Sequence, residues 1–76
     1  GYRTRSAYKL KQIQERFGIL RKADVVLDVG CHPGGWTQVA VEEVGENGLV
    51  IGVDLLATSP VEGARIFIGD VTEERT

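Results

Sequence analysis

The spacing of apolar positions changes character along the chain. Leu10, Ile13 and Phe17, continued by Leu20, recur at helical intervals. They predict a helix from Ser6, as N-cap, to about Phe17, with Gly18 as its stop. Val25-Val26-Leu27-Asp28-Val29 is rich in β-branched residues and reads as a buried strand. A turn of Gly30-Cys31-His32-Pro33-Gly34 follows, and then a second helix predicted over Gly35 to Val44. Trp36, Val39, Ala40 and Val44, joined by Val41, form its inward side, while Gln38, Glu42 and Glu43 face water. Gly45 and Asn47-Gly48 close it. Leu49 to Val53 is apolar on both faces, as a central parallel strand should be, and it delivers Asp54 at its carboxyl end. Leu55 to Gly63 reads as a loop or a short irregular helix. Ala64 to Ile68 reads as a third strand that ends at Gly69-Asp70-Val71.

Two strands joined through a helix form a parallel pair with a right-handed crossover. The expected fold class is therefore α/β, the first half of a doubly wound, Rossmann-like parallel sheet with flanking helices. Residues 1–22 form an arm and helix, and residues 23–76 form the N-terminal half of one incomplete domain. The glycine turn falls at the ligand-binding carboxyl edge, where Asp54 and Asp70 also arrive. An unfinished sheet edge is a liability in a free protein. The chain is expected to continue in a longer enzyme, and self-association through the open edge is an expected partner mode.

Composition narrows the class. A hydrophobic share of 42% in 76 residues allows one small domain and argues against global disorder. No run approaches the roughly 20 apolar residues of a membrane helix, and no apolar signal core follows the basic N-terminus. The single cysteine, Cys31, excludes an internal disulfide and suits a reducing setting. The expected location is the cytoplasm, or an organelle matrix. One Cys beside one His makes no zinc ligand set, so no metal is expected.

The net charge of −2 is unevenly spread. Residues 1–22 carry seven basic side chains against Glu15 alone, whereas residues 23–76 carry two against ten acids. A basic arm on an acidic body favours a polyanionic partner, and nucleic acid fits that charge.

The turn discriminates among ligands. A dinucleotide site has G-x-G-x-x-G, in which the second glycine admits a pyrophosphate. Here the spacing is G-x-x-x-G-G, with His32 at that second position, and no Lys-Ser/Thr pair follows Gly35 to make a phosphate loop. A glycine turn without pyrophosphate contacts suits an adenosyl ligand. Asp54 follows Gly30 at about the ~20-residue distance of a carboxylate that accepts ribose hydroxyls. Asp70, beside Val71, is placed to accept from the adenine amine. Together these features point to S-adenosylmethionine.

Three stretches carry a more specific likeness: Arg3-Thr4-Arg5-Ser6-Ala7-Tyr8-Lys9-Leu10, then Leu27 through Ala40 with its Pro33-Gly34-Gly35-Trp36 turn, then Gly52-Val53-Asp54-Leu55-Leu56 with Gly69-Asp70-Val71. In order and spacing they resemble the FtsJ (RrmJ) ribosomal RNA 2′-O-ribose methyltransferases. The resemblance implies methyl transfer from S-adenosylmethionine to a ribose 2′-hydroxyl of RNA, most naturally ribosomal RNA. It implies cofactor contacts by Gly30, Pro33, Gly34, Gly35, Trp36, Asp54, Leu55, Asp70 and Val71. Lys9 matches the first member of the family's Lys-Asp-Lys-Glu catalytic set, positioning the target ribose or stabilising charge. The other three members are expected beyond Thr76, so residues 1–76 alone are expected to be inactive. Arg3, Arg5 and Lys11 around Lys9 are the expected RNA contacts, and binding through them should be salt-dependent.

Cys31-His32 departs from the family, which usually carries two small residues there. A nucleophile–base pair is disfavoured, since neighbours leaving a strand diverge. Asp28 reads better as an acceptor organising the turn than as a catalyst. Trp36 serves equally as core anchor or cofactor contact, and Tyr2 and Tyr8 as base-stacking or packing residues. Two other functions stay open: a non-catalytic RNA-binding segment, and a dinucleotide-binding half of an oxidoreductase.

Overall fold

The computed structural model describes residues 1–69. The elements run α1 (Arg5–Phe17), β1 (Val25–Val29), α2 (Gly35–Val44), β2 (Leu49–Asp54) and β3 (Ala64–Ile68). The strands form a parallel sheet in the order β1-β2-β3, so the expected α/β class holds. Asp28 lies opposite Gly52, Val29 opposite Val53, and Asp54 opposite Ile68. That register brings the carboxyl ends of all three strands to one edge. Leu55 to Gly63 connects β2 to β3 without a helix. Asp70 and Val71 lie outside the described residues.

Alternation along the strands decides which face α2 covers. Val26, Val50 and Ala64 share a row and pack against Ala40 and Val44 of α2. The opposite face carries Val25, Leu27, Val29 and Phe67, all more than half exposed. Doubly wound sheets bury both faces, so among the described residues only one layer is complete.

α1 packs on α2 rather than on the sheet. Ala7, Leu10 and Val39 form that contact, with Tyr2 against it. Two expectations about α1 are corrected here. Its N-cap is Thr4, not Ser6: Thr4 sits in extended conformation and its Oγ1 accepts from the Ala7 N–H at 3.2 Å. Its buried stripe is Ala7, Leu10 and Gln14, whereas Phe17 is 67% exposed. A small residue is what lets α1 approach α2 closely, and the bulky Phe17 falls past the end of the contact. Trp36 likewise stands 47% exposed at the start of α2 and does not anchor its inner side.

Gln14 is buried because its amide serves a peptide group. Its Nε2 donates to the Leu20 carbonyl at 2.6 Å and its Oε1 accepts from the Leu20 N–H at 2.8 Å. This pair fastens the segment after α1 to the helix and aims the chain into β1. Gln14→Leu fills the space but strands the N–H and the carbonyl of Leu20. It should lower stability by about 1–3 kcal/mol in urea unfolding of the full-length protein.

Lys11 reaches across to α2 and pairs with Glu43 at 2.5 Å. Hydrogen bonding to Lys11 holds the Glu43 carboxyl below its ordinary 4.5, and the same bond holds Lys11 above its ordinary 10.5. The Glu43 contribution is present above 4.5 and fades as pH falls through the lowered value. The Lys11 contribution is present below 10.5 and fades as pH rises through the raised one. Both side chains keep some contact with water, so Lys11→Met should cost about 0.5–1 kcal/mol at neutral pH. The loss relative to wild type should shrink toward pH 3 and toward pH 11, read from unfolding midpoints.

Candidate functional site

The glycine turn is held from below by the strand it leaves and by the strand beside it. Gly30 and Cys31 both donate their N–H groups to the Val53 carbonyl, at 2.7 and 3.2 Å. Asp28 accepts from Thr37 Oγ1 at 2.6 Å, which ties the end of β1 to the first turn of α2. Asp28 is thus a structural acceptor, as its position suggested. Gly34 is the N-cap of α2 with φ of 108°, a region that L side chains rarely enter. Gly35 is needed for a different reason: a Cβ there would lie within van der Waals contact distance of Thr4 Oγ1 and 3.1 Å from the Ala7 Cβ. The two helix starts cross at this glycine.

Asp54 ends β2 beside the turn. Its Oδ2 accepts from the His32 N–H at 2.8 Å and its Oδ1 from the Leu56 N–H at 3.0 Å. These two backbone bonds, Leu56 first and then His32, hold the carboxyl below its ordinary 3.8 and keep it ionised. A carboxylate offers about four acceptor sites, so two remain for a ligand. The Gly69 N–H donates to the Asp54 carbonyl at 2.9 Å, which brings the end of β3 to the same edge.

The departure at Cys31-His32 has a local explanation. Cys31 is buried over Gly52, where a Cβ would come within 2.9 Å of its Sγ, so the larger thiol occupies room that Gly52 leaves. Burial raises the thiol pKa, which makes Cys31 a poor nucleophile at neutral pH. The Cys31 thiol and the His32 ring both approach Thr58 Oγ1, at 4.0 and 3.4 Å, with no direct hydrogen bond between them. The ring is oriented by a second contact. Its Nδ1 donates to the Ala57 carbonyl at 3.1 Å, so the imidazole links the turn to the loop after Asp54.

A cavity of about 310 Å³ opens at the turn, walled by Thr4, Ser6, Gly30, His32, Gly35 and Trp36 among others. Pro33 is also in its wall, whereas Gly34, Asp54 and Leu55 are not. Asp54 is one hydrogen bond away, through the His32 N–H. The α1 arm therefore forms part of the cavity, which the strand–turn–helix pattern alone does not reveal. A larger cavity of about 370 Å³ lies by Tyr2, Tyr8, Glu42 and Glu62, away from the strand ends, and its carboxylates oppose an RNA ligand. Tyr2 meets Tyr8 edge to face at 4.9 Å and donates its hydroxyl to Glu42, so both tyrosines pack the arm.

The four cations expected near RNA divide into two pairs. Arg3 donates to the carbonyls of Pro33, Ser59 and Pro60 at 2.8, 2.7 and 2.6 Å, and Lys11 is paired with Glu43. Arg5 and Lys9 are exposed, and the structure shows no side-chain partner for either among the described residues. Ser6 lines the cavity, and Lys9 lies one helical turn beyond it on the same side. Arg5 and Lys9 are neighbours at i, i+4, a like-charge pair that favours an anion beside it.

An α/β sheet with a ligand cavity at its carboxyl edge, an oriented acid and a basic helix defines the class. The FtsJ-like methyltransferase family matches residues 2–76, and the chain belongs to that family. It is 51% identical over 76 residues to the ribosomal RNA large subunit methyltransferase E of Natronomonas pharaonis, covering all of this chain and 30% of the relative. The protein of that description from Halorubrum lacusprofundi is 57% identical over 78 residues, covering all of this chain and 29% of the relative. The crystal structure of a Plasmodium falciparum protein described as a ribosomal RNA methyltransferase superposes with a TM-score of 0.78 at 32% identity, over 99% of this chain and 42% of that one. The chain thus spans about 30% of the length of the curated relatives it matches. Among the described residues, no helix is long and apolar enough to cross a membrane, and no group of three metal-ligating side chains is found.

Proposed function

We propose that the full-length protein transfers a methyl group from S-adenosylmethionine to a ribose 2′-hydroxyl of RNA, with large-subunit ribosomal RNA as the substrate that its relatives' names favour. The observation that carries this reading is Asp54. It is ionised, fixed by two backbone N–H groups, and retains acceptor capacity at the strand edge beside a glycine turn with no second glycine for a pyrophosphate.

The residues present fit an adenosyl methyl donor. Asp54 accepts from the ribose hydroxyls, and the turn with Gly30, Pro33, Gly34, Gly35 and Trp36 bounds the methionine part, with Leu55 beside Asp54. Asp70 and Val71 are assigned to adenine on their sequence position after β3 and on the family resemblance. The donor supplies an activated methyl on its sulfonium, so the protein's main task is alignment. Lys9 and Arg5 hold the RNA, with Lys9 toward the target ribose, one helical turn from the cavity wall. Self-association through an open sheet edge is a second proposed partner mode, readable by sedimentation of residues 1–76.

Isothermal titration of the full-length protein tests the cofactor. Binding of S-adenosylmethionine or S-adenosylhomocysteine, with no heat from NAD, supports the reading. Binding of NAD alone sinks it and restores the oxidoreductase alternative.

A further inference from the structure

Arg3 belongs by charge to the basic arm and stays exposed, yet its guanidinium is engaged by three backbone carbonyls. Nη1 donates to the carbonyls of Pro33 and Ser59, and Nη2 to that of Pro60. Both Nη1 hydrogens are thereby spent. Pro33 lies in the glycine turn, whereas Ser59 and Pro60 lie in the loop that leaves Asp54. The acceptors come from two segments that no strand pairing joins at this point. Arg3 is also fixed at its own backbone, where its N–H donates to Gln38 Oε1 at 2.8 Å. A Cβ on Gly34 would sit 2.8 Å from Nη1, so the bare turn is what admits the guanidinium. From the other side, the His32 imidazole joins the same two segments through the Ala57 carbonyl.

We propose that Arg3 is a positioning residue for the cofactor-binding edge: it clamps the glycine turn to the loop after Asp54 and does not contact RNA phosphate. The inference deepens the methyltransferase reading and rests on it. Two walls that must stay in register around an adenosyl ligand are tied by one planar group, so less ordering is left to occur when the ligand binds. Lysine cannot replace it. An ammonium keeps the charge but is a point donor, and it cannot span three carbonyls set around a fork.

The two roles predict opposite behaviour of Arg3→Lys. In the full-length protein, Arg3→Lys and Arg3→Ala should both weaken S-adenosylhomocysteine binding roughly ten-fold, an ordinary size for coupling through structure. The KM for S-adenosylmethionine should rise by a similar factor, with kcat at saturating cofactor within about two-fold of wild type. A general loss of folded protein would instead lower kcat. RNA binding should keep its salt slope in Arg3→Lys, and Arg3→Ala should not lose the ~0.7 that one phosphate contact on a single strand contributes. The inference is overturned if Arg3→Ala binds S-adenosylhomocysteine as wild type does and loses that slope while Arg3→Lys restores it. Should Arg3→Ala fail to fold, Arg3→Lys decides alone through the same affinity. A wild-type protein that binds no S-adenosylhomocysteine overturns the function reading and this inference with it, whereas normal wild-type binding with unaffected variants overturns this inference only.

Discussion

Asp54→Ala is expected to weaken S-adenosylhomocysteine binding by about 100-fold or more. Hydrogen bonds to a charged acceptor are roughly twice as strong as neutral ones, and the ribose offers two hydroxyls to this carboxylate. The substitution also releases the His32 and Leu56 N–H groups, which are held at 2.8 and 3.0 Å. Asp54→Asn is expected to be nearly as damaging for a different reason. Both carboxylate oxygens accept from backbone donors, and an amide has only one oxygen to offer. Its NH₂ would meet either the His32 or the Leu56 N–H, donor against donor. Titration calorimetry reads both variants directly. An Asp54→Asn protein that binds within a factor of three of wild type would show that the backbone pair does not orient this acid.

The second large effect is expected at Gly35. A methyl group there runs into Thr4 Oγ1 and sits 3.1 Å from the Ala7 Cβ, so Gly35→Ala must push α1 away from the start of α2. Overpacking of this kind costs about 1–3 kcal/mol, and here it also disturbs the bond by which Thr4 caps α1. Gly30→Ala is the control. Its φ is +74° and nothing lies within 4 Å, so it carries conformational strain of about 1–2 kcal/mol without a collision. Thermal unfolding should therefore place both variants below wild type. Only Gly35→Ala should also lose the α1–α2 contact, seen as faster amide exchange at Ala7 and Leu10. Equal exchange in the two variants would show that the helix crossing does not depend on this glycine.

The sheet and its carboxyl edge were legible because their signals are local. Val25 to Val29, Gly35 to Val44 and Ala64 to Ile68 match the elements observed, and Asp54 joins β2 as its last residue. A β-branched run, a glycine turn and an amphipathic helix each declare themselves within about ten residues. The first helix was read less well, for reasons of long range. Ala7 and Gln14 carry no apolar signal, and their burial depends on α2 crossing at Gly35 and on the Leu20 peptide. Phe17 carries a strong apolar signal and stays 67% exposed, with the Arg16 guanidinium over its ring at 5.4 Å.

The same distance limits the reading of charge. Seven basic residues in the first 22 mark a polyanion-binding arm in composition. Yet of Arg3, Arg5, Lys9 and Lys11, the structure engages Lys11 with Glu43 and Arg3 with the turn and loop, and among the described residues it shows no side-chain partner for Arg5 and Lys9. Partners some 30 to 57 positions away decide which cations are already engaged within the fold, and no local pattern shows them. Cys31-His32 looked like an intrusion into the ligand turn. In the fold the thiol fills the space over Gly52, and the imidazole laces the turn to its neighbouring loop.

Every role assigned to Asp54, Lys9 and the glycine turn rests on methyl transfer to an RNA ribose. The most direct measurement supplies the full-length protein with S-adenosylmethionine carrying an isotopically labelled methyl group and unmodified large-subunit ribosomal RNA, then digests the RNA for mass spectrometry. Label is expected on a ribose 2′-oxygen at a defined nucleotide, lost in Asp54→Ala and Lys9→Ala. Label on a base, or none in RNA despite measured cofactor binding, would contradict methyl transfer to the ribose.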